Sequence, residues 1–343
     1  MTDLYDLDLD GLTAQLRAWG QPAFRTKQLW EWLYEHRVSS FDEMTNLPKA
    51  LRERLVAETR LGTLQMVTEQ VSRDGTRKRL YRLEDDRRIE SVLMPYADGR
   101  RTACISSQAG CAMGCVFCAT GQQGFGRHLT AAEIVEQATR FAVELHAVGE
   151  RLSNVVLMGM GEPLHNLDAV VEAIHRMHDR LGISHRRISV STVGLVPGIE
   201  RLAAEALPIT LAISLHAADD ATRDALLPVN KRWPLQDLVA ACRAYVDATG
   251  RRVSFEWALI AGQNDDEATA DRLAALLRGL ICHVNLIPLN PTQGYGGEAT
   301  SDLRAHAFAD ALQARGIPAT VRIRRGVDID AGCGQLASRE AER

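Results

Sequence analysis

From residue 102 onward, short hydrophobic runs recur at a regular pitch: TACISS, NVVLMG, RISVST, ITLAISL, VSFEWAL, HVNLIPL and ATVRIR. Longer stretches between them, such as TAAEIVEQATRFAVELHAV and WPLQDLVAACRAYVDAT, repeat their apolar positions at helical spacing. This alternation predicts parallel strands joined by crossover helices. An open doubly wound sheet and a barrel both satisfy it. Polar residues stand just past several strand ends, at Gly161-Glu162, Ser191-Thr192, Ser214-Leu215-His216, Asn290 and Arg325. Five such sets at one end favour a (β/α) barrel whose chemistry sits at the C-terminal mouth.

The first third follows other periods. Residues 8 to 60 predict helices, with Leu29, Trp30, Trp32 and Leu33 forming an apolar set. A satisfied helical core and a small nucleic-acid module both explain the mixture of aromatic and basic residues. Between 62 and 95 the stretches LQMVTEQVS, RKRLYRL and RIESVLMP predict strands joined by turns at Asp74-Gly75 and Asp85-Asp86. The expected organisation is therefore α/β. A helical N-terminal accessory domain spans 1–60, a β-rich basic linker 61–100 and a partial (β/α) barrel 101–343.

Composition changes this picture little. Of 343 residues, 46% are hydrophobic and 24% charged, the balance of a soluble globular chain. The net charge of −4 argues against coating nucleic acid in bulk, but leaves room for a local basic groove. Arg73, Arg77, Lys78, Arg79, Arg82, Arg87 and Arg88 crowd the linker strands and are candidates for such a surface. The acidic start MTDLYDLDLD has no apolar signal core, and no run is long enough to span a membrane. A cytoplasmic protein is expected, with its seven cysteines serving as thiols or ligands rather than a disulfide framework.

Three of those cysteines, Cys111, Cys115 and Cys118, fall in GCAMGCVFCATGQQGFG with the spacing C-x3-C-x2-C. Structural zinc wants four ligands, and no second C-x2-C exists. Three thiolates from one loop suit a [4Fe-4S] cube whose fourth iron takes an outside ligand. MGMGEP, with Gly161 and Glu162, follows the next strand; it lacks the third glycine of a dinucleotide fingerprint. Cys242 and Cys282 read as small core residues. Cys333 lies in the polar, glycine-flanked DIDAGCGQL, which suits a reactive thiol, and Cys104 ends the strand leading into the cluster loop.

C-x3-C-x2-C after the first barrel strand is similar to the signature of radical S-adenosylmethionine (SAM) enzymes. CISSQAGCAMGCVFCATGQQGFGRHLTAAEI, MGMGEPLHN, ISLHA, VNLIPLNP and DIDAGCGQL, with MTNLPKALR and RTKQLWEWLYE near the N-terminus, resemble the RlmN/Cfr family of radical SAM RNA methyltransferases. The resemblance covers nearly the whole chain. One departure is Gly332, where the family usually has alanine; it predicts a looser loop. The resemblance implies methylation at C2 of one 23S rRNA adenosine and of the anticodon-adjacent adenosine in tRNA. It implies a [4Fe-4S] cluster on Cys111, Cys115 and Cys118, and two SAM per turnover. SAM contacts would come from Gly161, Glu162, Ser191, Ser214, Leu215, His216 and Asn290. Cys333 would carry an S-methyl intermediate, and Cys104 would resolve it through a transient disulfide bond. Glu90, in RIESVLMP, matches a family glutamate assigned to proton transfer or adenine positioning. A monomer, a flavodoxin-type electron donor and no membrane partner complete the expectation, with phosphate contacts from strands 73–88 and from Arg322, Arg324 and Arg325. Two other readings stand beside it. One is the C8-methylating resistance relative, which shares the cluster and both cysteines. The other is a non-catalytic iron–sulfur protein that binds RNA, which leaves Cys104 and Cys333 without a role.

Overall fold

Two separate hydrophobic cores organise the chain in the computed structural model, which describes residues 1–337. The smaller core belongs to the N-terminal helices. Strand β1 (Thr2–Asp3) leads into α1 (Leu9–Ala18), α2 (Phe24–Tyr34) and α3 (Lys49–Glu58), and β2 (Thr59–Arg60) returns to pair with β1. Asp8 caps α1 by accepting from Gly11 N at 2.7 Å. Leu12, Leu16, Leu29, Leu33, Leu51 and Leu55 fill the centre, with Trp30 and Trp32 packed at its edge. The module is tied to the barrel by Arg180, whose Nη1 donates to Tyr5 O (2.9 Å) and Tyr34 Oη (3.1 Å).

Next, β3 (Gln65–Val71), β4 (Arg77–Arg82) and β5 (Arg88–Pro95) form an antiparallel meander that pairs with β6 (Arg101–Cys104). β7 (Gln108–Gly110), α4 (Ala119–Gln123) and β8 (Phe125–His128) follow, and β7 and β8 make a small ladder around the cysteine loop. The alternation then runs α5 (Ala131–Ala147), β9 (Asn154–Leu157), α6 (Leu167–Leu181), β10 (Ile188–Thr192), α7 (Val196–Ala204) and β11 (Thr210–Ser214). It continues through α8 (Asp220–Leu226), α9 (Leu235–Thr249), β12 (Val253–Leu259), α10 (Glu267–Leu277), β13 (Cys282–Pro288), α11 (Asp302–Ala314) and β14 (Ala319–Val321).

One ten-stranded sheet results, in the order β14-β13-β12-β11-β10-β9-β6-β5-β4-β3. β6 and β9 to β14 are parallel, as the crossover helices require. The strands between 61 and 100 thus continue the barrel sheet. The sheet curls, because the turn between β3 and β4 meets the loop after β14. Ser72 Oγ donates to Asp328 Oδ1 (2.5 Å), and Gly326 N donates to Asp74 Oδ2 (3.1 Å). β12, third from one edge of the order, is buried along its whole length. Among the described residues, no helix is long and apolar enough to cross a membrane.

The pleat corrects the expected basic RNA surface at three of its cations, Arg77, Lys78 and Arg79. Side chains alternate between faces, and register places Arg79 opposite Ser91 and Lys78 opposite Val92. Arg77 and Arg79 face α5. Arg79 is only 2% exposed, bonds Glu69 and Glu144, and stacks on Phe141 at 4.6 Å. Arg77 shares both carboxylates. Lys78 takes the opposite face and is buried inside the curl. These three cations serve the fold and are not free for phosphate.

Candidate active site

The inward faces of the parallel strands and the loops at their C-terminal ends enclose a cavity of roughly 1060 Å³ that opens to solvent. The cysteine loop forms one wall. Cys111 is held by its own N–H, which donates to Gly124 O (2.8 Å). Val116 N donates to Leu226 O (3.1 Å), and Cys118 N to Cys115 O (3.1 Å). Gly110, at φ +78, lets β7 and β8 close: a Cβ there would lie 2.1 Å from Gly124 O. All three sulfur-bearing residues line the cavity.

Burial pushes the Cys111 thiol up to about 12 and Cys115 well above its ordinary value, and the neighbouring thiols of the set add to both shifts. Buried thiols set this close ionise together only against a cationic centre. Among the described residues, no set of three His, Cys, Asp or Glu converges on a single ion. Three soft donors spread along one wall fit a polynuclear iron–sulfur cluster, in which each thiolate takes a different iron. The remaining lining suits a zwitterionic ligand beside that cluster. Asn290 Oδ1 is buried without a hydrogen-bond partner in the described structure, while its Nδ2 donates to Cys333 O at 3.1 Å.

The strand-end residues meet at this cavity. Gly161, Glu162, Ser191, Ser214, His216 and Asn290 all line it; Leu215 is fully buried just behind Ser214. Gly161 sits at φ +102, a backbone state other residues rarely adopt. Glu162 Oε1 accepts from Leu164 N (3.0 Å), and Oε2 accepts from Val193 N (2.8 Å). Burial still pushes this carboxyl up to about 7, against those hydrogen bonds. His216 Nδ1 accepts from Ala258 N (2.9 Å), which leaves Nε2 as the protonated nitrogen. Burial, aided by Arg223, pushes the imidazole down to about 3, so it is a neutral donor. Phe117 packs edge-on against it, ring centres 5.0 Å apart.

A second, smaller cavity of roughly 670 Å³ adjoins the first and contains both Cys104 and Cys333. Cys104 ends β6, opposite Val92 on one neighbour and Val156 on the other. Burial pushes its thiol up to about 12, and the nearby Cys333 adds to this. Cys333 has solvent access through the cavity yet is ringed by protein atoms, and burial raises its thiol too. Arg322 opposes both rises. Its Nη1 donates to Glu256 Oε2 (3.1 Å), and Glu256 Oε1 is in turn held by Asn285 Nδ2 (2.8 Å). Both cysteines are free thiols here. Cys242 and Cys282 are core residues, as read from sequence.

Glu90 falls outside both cavities. It is 2% exposed, paired with Lys78 (3.5 Å), and its Oε2 accepts from Ala337 N (2.8 Å). The expected looseness at Gly332 is also not seen: Gly332 N donates to Gln335 Oε1 (3.1 Å), and a Cβ there would lie 2.6 Å from Asn290 Nδ2.

Sequence reasoning missed two organising residues. Gln108 accepts from Glu162 N (2.8 Å) and reaches the Nδ1 atoms of His128 and His165. Arg223 is fully buried and binds the carbonyls of Val193, Ser214 and Leu215, tying the ends of two strands together. Nothing local marks either, since an arginine in DATRDALL reads as a solvated helix face.

The sequence matches the radical SAM superfamily over residues 105–273 and the ribosomal RNA large subunit methyltransferase N-terminal domain over residues 2–61. The dual-specificity RNA methyltransferase RlmN 1 of Myxococcus xanthus is 52% identical over 337 residues, spanning 97% of this chain and 94% of that protein. A probable dual-specificity RNA methyltransferase RlmN of Chloroflexus aurantiacus is 51% identical, spanning 98% and 93%. The crystal structure of a radical SAM methyltransferase from Sphaerobacter thermophilus aligns with a TM-score of 0.94 at 49% identity, covering 99% of this chain and all of that one.

Proposed function

The chain belongs to the RlmN family of radical SAM RNA methyltransferases, and from that premise we propose that it methylates C2 of an adenosine in 23S rRNA and of the anticodon-adjacent adenosine in tRNA. The observation that carries this reading is the meeting of Cys104 and Cys333, from distant parts of the chain, in a cavity that shares a wall with the cluster cysteines.

C2 of adenine is an electrophilic carbon with no lone pair, so direct displacement on SAM is closed to it. Cys111, Cys115 and Cys118 would hold a [4Fe-4S] cluster, with SAM against Gly161, Glu162, Ser191, Ser214, His216 and Asn290. When bound, the reduced cluster and SAM supply a carbon radical able to take a hydrogen atom. The protein's own part is thiol chemistry. Cys333 loses its proton and takes a methyl group from one SAM. After that S-methyl group gives up a hydrogen atom, its carbon bonds C2. The adduct loses the C2 proton and, to the cluster, one electron; the Cys104 thiolate then attacks the Cys333 sulfur, the sulfur–carbon bond breaks, the freed carbon takes up a proton to complete the methyl group, and the two cysteines finish as a disulfide. Arg322, facing both sulfurs, offsets the charge on whichever is ionised. The base reaches this depth only out of its stack. The reading entails two SAM per turnover, an outside reductant such as flavodoxin, and a monomer working in the cytoplasm.

The test is mass spectrometry of cluster-loaded, reduced protein with SAM and unmodified 23S rRNA. Wild type is expected to yield 2-methyladenosine. Cys104→Ala should accumulate a protein–RNA crosslink that Cys333→Ala lacks. A methyl at C8 would reassign the enzyme to the resistance relatives, and an uncrosslinked Cys104→Ala with full turnover would remove the two-cysteine scheme.

A further inference from the structure

We propose that Lys78 and Glu90 are positioning residues that hold both ends of the segment bearing Cys333, so that the buried pair fixes where the reactive sulfur stands. This rests on the thiol chemistry above for its purpose, and on geometry for its substance.

The two side chains share the inner face of the sheet. Register sets Lys78 opposite Val92 and Leu80 opposite Glu90, which makes the pair diagonal neighbours across β4 and β5. Lys78 is 8% exposed and Glu90 2%. Each turns one polar contact to its partner and another to the C-terminal segment. Lys78 Nζ donates to Asp330 O at 3.3 Å, before Cys333. Glu90 Oε2 accepts from Ala337 N at 2.8 Å, after it. The 3.5 Å contact between Lys78 and Glu90 joins the two grips.

The segment between needs such a grip. It contains Gly326, Gly332 and Gly334, and Asp330 is held at φ +51. Glycines leave a free loop many conformations to lose. Other contacts are local, come from the cysteine loop or the loop after β13, or reach only the start of the segment from the β3–β4 turn: Gln335 Nε2 to Pro291 O (3.1 Å), Asn290 Nδ2 to Cys333 O, Ala119 N to Gly334 O (2.7 Å), and Ser72 Oγ to Asp328 Oδ1 (2.5 Å). Among the described residues, only the pair grips the segment on both sides of Cys333 from the antiparallel strands. A buried ion pair is poor value as stability alone, since an apolar pair of equal volume does about as well. Here its charged atoms are the handles by which the loop is held, and a thiol that must serve two cavities in turn needs a fixed station.

The experiment uses anaerobic, cluster-loaded full-length protein as wild type, Lys78→Arg, Lys78→Met and the doubly neutral Lys78→Met/Glu90→Gln. The last avoids leaving a lone buried carboxylate. Amide hydrogen exchange is read over 326–337 and over the rest of the barrel, with SAM affinity and the rate of methyl transfer to Cys333. Losing the charge-assisted contacts should speed exchange of 326–337 about tenfold or more. It should slow methyl transfer comparably and leave SAM affinity within about twofold, and Lys78→Arg should recover most of both effects. Unchanged exchange in both methionine variants overturns the proposal. So does exchange that rises equally throughout the barrel, since that is loss of stability and not of position. If wild-type Cys333 is never methylated, the thiol chemistry falls while exchange still decides the clamp.

Discussion

Replacing Gly161 by alanine probes how closely the cradle proposed for SAM is built. Gly161 has φ +102, and a Cβ there would sit 2.6 Å from Gln108 Cβ and 2.8 Å from its backbone nitrogen. The backbone state alone costs an alanine about 1–3 kcal/mol, and the overlap adds about 1–3 kcal/mol. Side-chain rotation cannot remove a clash with a backbone nitrogen, so either β7 or the Gly161–Glu162 peptide must shift. Gln108 Oε1 accepts from Glu162 N at 2.8 Å, so the shift spreads to the carboxyl that braces Val193 and Leu164. If a third of the combined strain is expressed as misplacement of that peptide, SAM binding weakens by about 1.4 kcal/mol, or about tenfold. The assay is equilibrium SAM binding to the cluster-loaded protein, with the unfolding temperature measured alongside. Gly182→Ala is the control: it has φ +67 at the end of α6, and no atom lies within 4 Å of its added Cβ. The control should lose stability without losing SAM. Gly161→Ala binding SAM within twofold of wild type, or Gly182→Ala weakening it equally, would refute the reasoning.

Two further outcomes are expected. Burial pushes Asp3 up to about 6, against hydrogen bonds from Tyr5 N and Gly62 N, and Glu136 adds to the rise. The fold therefore favours its protonated form, an advantage complete below the ordinary carboxyl range near 3.8 and lost as pH rises through 6. At pH 8 the ionised group costs up to about 3 kcal/mol, so Asp3→Asn should unfold at higher temperature than wild type there and lose that gain near pH 4; no difference in pH slope would contradict this. Arg79→Met should lower stability by about 3 kcal/mol and leave the salt dependence of RNA binding alone. Arg324→Ala should reduce that slope by about 1, and equal slopes in the two proteins would disprove the assignment of surfaces.

The parallel strands were legible because each is a short apolar run between helix-periodic stretches; β9 to β13 begin and end within a residue or two of the runs, while β14 stops at Val321, three residues short of its run. The cysteine loop was legible because its spacing is local. β7 and β8 were not, since QAG and FGRH become strands only by pairing with each other. The alternation of Arg77, Lys78 and Arg79 is visible in the sequence, but its meaning is not. Which face meets water depends on Glu144 of α5, far along the chain, and on the C-terminal segment that covers Lys78. Gln108 and Arg223 were hidden for the same reason: their partners arrive only when long loops close.

The two cavities share Met158, Ile287, Asn290, Arg322, Cys333 and Leu336. Cys333 therefore stands in the partition between the cluster side and the Cys104 side. On the proposed reading, a thiol that meets SAM and then Cys104 faces both cavities from that one position. The antiparallel strands explain how the partition is kept. They fill the side of the barrel that the parallel strands leave open, and the same residues that close the curl, Ser72, Asp74, Lys78 and Glu90, seat the segment from Gly326 to Ala337. Closing the barrel and placing the sulfur are then one event.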